Sequence, residues 1–63
     1  MNIQVELRVE LNTDQAWALA QFLKRVGYSD YRSLAVDADE AYVMVGAGEL
    51  IRKALAESGV APR

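Results

Sequence analysis

The sequence predicts an α/β (α+β) fold: a single N-terminal strand followed by two helices, with the strand paired across a homodimer. Residues Asn2 to Leu11 alternate without a break. Ile3, Val5, Leu7, Val9 and Leu11 fall on one side and Asn2, Gln4, Glu6, Arg8 and Glu10 on the other, the period of two that marks a half-buried strand. Two later stretches repeat apolar residues at three- and four-residue spacing, as amphipathic helices do. No other stretch offers an equally clear strand, and a solitary strand leaves a row of backbone donors and acceptors unpaired. A second copy or another protein is therefore expected to supply the pairing.

The elements follow in order within one small domain spanning residues 1–63. After the strand (2–11), Asn12 is placed to cap a helix, and Gln15, three residues on, is placed to reach back to it. This helix is expected over 13–26, with Ala16, Leu19, Ala20, Leu23 and Val26 as its apolar stripe and Phe22 on the flank. Gly27 is the expected left-handed terminator, and Lys24 and Arg25 complement the dipole in the last turn. Residues 27–38 mix aromatic, polar and acidic types without periodicity and read as a connector with room for one helical turn between Ser29 and Leu34. A second helix is expected over 39–58, capped by Asp37 or Asp39 and closed by Gly59, with a short tail over 59–63. Ala41, Met44, Gly48, Ile51 and Leu55 form one stripe along it, and Val43, Ala47, Leu50 and Ala54 an adjacent one. An apolar arc this wide suggests that the helix meets both its own core and a second surface. Residues 41–45 are also compatible with a short strand, since β-branched and aromatic residues favour one.

Size and composition narrow the class. A chain of 63 residues without cysteine or histidine has neither disulfides nor the usual zinc ligands to support a small core, which leaves association with other chains as the common remedy. Asn2 and Glu6 interrupt the N-terminal apolar residues, and no apolar run approaches the ~20 residues of a membrane span. The expectation is a cytoplasmic protein with no membrane partner. A net charge of −2 with scattered lysines and arginines lacks the concentrated basic face of a general nucleic-acid binder.

Little chemistry remains once histidine and cysteine are absent, because Ser-His and Cys-His nucleophile pairs and most transition-metal sites need them. Asp37, Asp39 and Glu40 are the only dense carboxylate cluster, and their position at a helix start suits capping. Gly46-Ala47-Gly48 opens like a dinucleotide fingerprint but has Ile51 where the third glycine belongs. No enzymatic activity, cofactor or metal is expected. The residues suited to partner binding are Trp17, off the main stripe of its helix, and a tyrosine-and-acid region made of Tyr28, Asp30, Tyr31, Asp37, Asp39, Glu40 and Tyr42. Between 28 and 42 four acids stand against one base, Arg32, a net −3. Such a surface suits a basic partner, by steering and by aromatic contact. Ile3, Val5, Leu7, Val9 and Leu11 are the expected dimer interface.

Two resemblances add expectations. Strand, helix, connector and helix in this order, with Gly48-Glu49-Leu50-Ile51-Arg52-Lys53-Ala54-Leu55 resembling the start of a second helix, is similar to the ribbon-helix-helix family of dimeric repressors. That resemblance implies a transcriptional regulator or antitoxin component. The positions that would read bases hold Gln4, Glu6, Arg8 and Glu10, however, and two glutamates facing phosphate speak against direct DNA binding. Thr13-Asp14-Gln15-Ala16, Ala20 to Gly27 with Asp30-Tyr31-Arg32, Asp39-Glu40-Ala41-Tyr42, Ile51 to Glu57 and Ala61-Pro62-Arg63 resemble a small uncharacterised bacterial family associated with prophages and other mobile elements. It implies a context in which tiny acidic proteins inhibit host defence, CRISPR effectors included. The expected function is thus a non-enzymatic protein-interaction module of a mobile genetic element, anti-CRISPR-like in acting by binding its target. The expected partners are a second copy and a basic nucleic-acid-handling protein.

Overall fold

A computed structural model describes residues 3–63, and over these the chain is helical: α1 (Thr13–Arg25), α2 (Tyr28–Leu34) and α3 (Ala38–Glu57). The predicted α/β fold is therefore corrected. Ile3, Val5, Leu7, Val9 and Leu11 keep their alternation in sequence, but no strand or sheet forms among the described residues. Asn2, where the strand was expected to begin, lies outside them. The reason is physical: a strand exists through a neighbour's backbone, and every stretch long enough to provide one is helical here. Residues 41–45, the one alternative strand, lie inside α3.

Capping fixes each helix start. Asn12 Oδ1 accepts from the Gln15 N–H at 2.8 Å while the Asn12 N–H donates to Gln15 Oε1 at 3.1 Å, the reciprocal arrangement that satisfies two otherwise orphaned donors. α1 ends when Val26 turns extended, one residue before the glycine expected to stop it. Gly27 is not left-handed. It sits at φ −112°, ψ 174° as the residue that opens α2, so the connector contains a seven-residue helix. At the start of α3, Asp37 Oδ1 accepts from the Glu40 N–H at 2.9 Å. The same helix closes through Gly59 at φ 92°, with the Gly59 N–H donating to the Ala56 carbonyl and the Val60 N–H to the Leu55 carbonyl. That pair of bonds is a Schellman closure, which favours glycine because it needs the left-handed conformation. It also folds Val60 back onto the core.

α3 is the central element, and α1 and α2 each pack on it but not on each other. The buried cluster is Ala20, Leu23 and Leu55, with Ala16, Leu19 and Val60 packed around it. Ala41 is buried separately where α3 begins. On α2, Tyr31 lies over Gly48. A Cβ at that position would collide with the tyrosine hydroxyl, so the close approach of α2 to α3 depends on the glycine.

Candidate functional site

The sequence-predicted contact residues do not form one site. Tyr28, the first residue of α2, and Tyr42, one turn into α3, meet with ring centroids 5.0 Å apart and planes tilted by 35°. Both rings remain exposed, an offset aromatic pair of the kind worth about 0.5–1.5 kcal/mol beyond its buried area. Tyr31 is half-buried and used for helix packing. Trp17 lies on α1, 40% exposed, outside the stacking that joins the two tyrosines.

The acids of the region hold helix ends. Asp30 Oδ2 accepts from the Gly27 N–H at 2.9 Å, Asp37 caps α3, and Glu40 Oε1 accepts from the Val36 N–H at 2.9 Å. Three of the four predicted acidic contacts thus serve the backbone, and their charge offsets the positive helix starts. Asp39 stands exposed in the first turn of α3. The face keeps its negative character, but the carboxylates are held in place by the fold.

Two further surfaces are apolar. Because α1 and α2 diverge after Val26, an open hollow of about 410 Å3 separates them, lined by Ala18, Phe22, Arg25, Val26, Asp30 and Leu34. Phe22 and Leu34 are exposed there, and Val36 is exposed just beyond α2. The sequence pattern puts Phe22 on the flank of a core and Leu34 in a connector. Only the α2 boundary, which needed the Gly27–Asp30 cap to be recognised, could have revealed the hollow.

The second surface runs along residues 3–11 and α3. Leu7 and Val9 share an open hollow of about 220 Å3 with Ile51, Ala54, Leu55 and Ser58. Val9 and Leu11 line a neighbouring one of about 310 Å3 with Thr13, Ala16, Leu55, Ser58 and Val60. Side chains two apart therefore face the core formed by α1 and α3, yet Val5 is 79% and Leu7 70% exposed. Ala54 continues this surface into the second stripe of α3, where Val43, Ala47 and Leu50 are all uncovered. No backbone hydrogen bond within the chain is made by residues 3–11 among the described residues.

Among the described residues no three metal-donor side chains gather, and no described helix is long and apolar enough to cross a membrane. No curated protein and no solved structure matches the chain. A family model matches residues 1–63, the full sequence, and the chain therefore belongs to the family of unknown function DUF7706.

Proposed function

We propose that this protein works by binding another protein and not by catalysing a reaction. The observation that carries this reading is the amount of apolar surface left open. Fourteen large apolar or aromatic residues are exposed among the described residues, while the buried set consists of Ala20, Leu23, Ala41 and Leu55. Scattered exposed apolar residues are ordinary, whereas contiguous patches mark interaction surfaces. Leu7, Val9 and Ile51 border one hollow here, and Phe22 and Leu34 another.

The Tyr28–Tyr42 pair with its fixed negative surroundings is the recognition face for a partner of opposite charge. Tyrosine supplies a large, stiff contact area with a polar tip, and the acids raise the encounter rate with a basic protein. The resemblance to families of mobile elements supplies the wider setting: a binding inhibitor of a basic, nucleic-acid-handling host protein.

Capture of partners from host lysate with the wild-type chain, and with Tyr28→Ala and Tyr42→Ala, tests the proposal. The expected result is a basic protein retained by the wild type and lost by both variants, which keep their helical circular dichroism. A tight, salt-dependent shift of the protein's own promoter DNA, with no protein captured, contradicts it and favours a regulator.

A further inference from the structure

We propose that a second copy of this chain covers the surface formed by residues 3–11 and the Val43, Ala47, Leu50 and Ala54 stripe of α3, so that the folded unit is a two-fold dimer.

The area supports it first. A folded monomer of this mass exposes about 4,000 Å2. This chain exposes 5518 Å2. The difference, roughly 1,500 Å2, exceeds the ~800 Å2 per partner that a specific interface needs. The shape agrees: the radius of gyration is 12.8 Å where a compact chain of this length has about 10.6 Å, and the molecule is only 15 Å thick in its shortest direction. Excess surface on a thin body belongs to a layer that lacks its other half.

Apolar side chains of residues 3–11 and of α3 share part of this open surface. Leu7 and Val9 border the same hollow as Ala54, and Ala54 leads to Leu50, itself 70% exposed. A disordered tail is poor in such residues, whereas residues 3–11 place one at every second position.

The occupant is a copy of the same chain, because the uncovered area matches what a two-fold interface needs on each of its two equal sides. Glu6 and Arg8 alternate with Leu7 and fall on the other side of residues 3–11, so no charge is buried by the contact. Tyr28 and Tyr42 line neither hollow beside residues 3–11.

Sedimentation equilibrium of the full chain across a dilution series tests this. The wild type is expected to show dimer mass at high concentration, and Leu50→Glu monomer mass. Because Leu50→Glu could act by disturbing α3, Leu7→Glu, which lies outside every helix, provides the second arm. It is expected to give monomer mass with unchanged helical circular dichroism. Monomer mass for the wild type at every concentration overturns the proposal. A dimer indifferent to Leu50→Glu and to Leu7→Glu overturns the assigned surface, and capture of a different protein by residues 3–11 of a monomeric chain overturns the occupant.

Discussion

Two glycines in α3, two residues apart, have opposite expected effects when replaced. A Cβ at Gly46 meets nothing within 4 Å, so Gly46→Ala removes a helix-interior glycine at no steric cost and is expected to stabilise the fold by about 0.5–1 kcal/mol. At Gly48 a Cβ runs into the Tyr31 hydroxyl, and Gly48→Ala is expected to destabilise by about 1–3 kcal/mol as the ring is displaced. Thermal denaturation followed by circular dichroism separates the two. The cost of Gly48→Ala should shrink in the Tyr31→Phe background, because the next nearest ring atom, Cζ, stands 3.3 Å away and needs only a small movement to fit. If Gly48→Ala proves neutral, Tyr31 is not the spacer between α2 and α3. Glycine also matters where α3 ends: Gly59→Ala is expected to cost about 1 kcal/mol, the left-handed conformation being unfavourable for alanine.

The helices were legible wherever capping and spacing agreed. Asn12 with Gln15, Asp37 before the α3 stripe, and Gly59 after it each bear a local signal whose energy does not depend on distant contacts. Asn12→Ala should lower stability by about 1 kcal/mol, measurable by urea denaturation, and an unchanged midpoint would mean that packing alone sets the start of α1. Less legible was α2, because Gly27 suits both a helix stop and a helix start, and seven residues are too few to show a periodic stripe. The N-terminal alternation is present as a pattern, but no strand forms on it among the described residues. Alternation reports which side chains share a face. Strand formation further requires a neighbouring backbone, which this chain spends entirely on helices. Around the candidate site, the cluster of Asp37, Asp39 and Glu40 was legible as helix-start acids, and Asp37 takes the cap, whereas the bonds that Asp30 and Glu40 accept from the Gly27 and Val36 N–H groups and the packing of Tyr31 on Gly48 were not. The role of Tyr31 depends on the relative position of α2 and α3, which no local pattern encodes.

Taken as one body, the chain is a thin three-helix layer whose central helix is covered on one side by α1 and α2 and open along a second stripe. The apolar arc on α3 is wide enough for two surfaces, and Val43 and Leu50 on its second stripe are exposed. With a buried set limited, among the described residues, to two leucines and two alanines, stability is expected to come in large part from association. Folding and dimerisation are then linked by mass action, and the midpoint of unfolding depends on protein concentration. The most direct test of this account is the thermal midpoint of the wild-type chain across a wide dilution series. The account predicts a midpoint that falls steadily on dilution, and that Leu50→Glu abolishes this dependence. A midpoint constant across the series, at a mass corresponding to one chain, would show that the monomer is stable with its apolar face open and would contradict it.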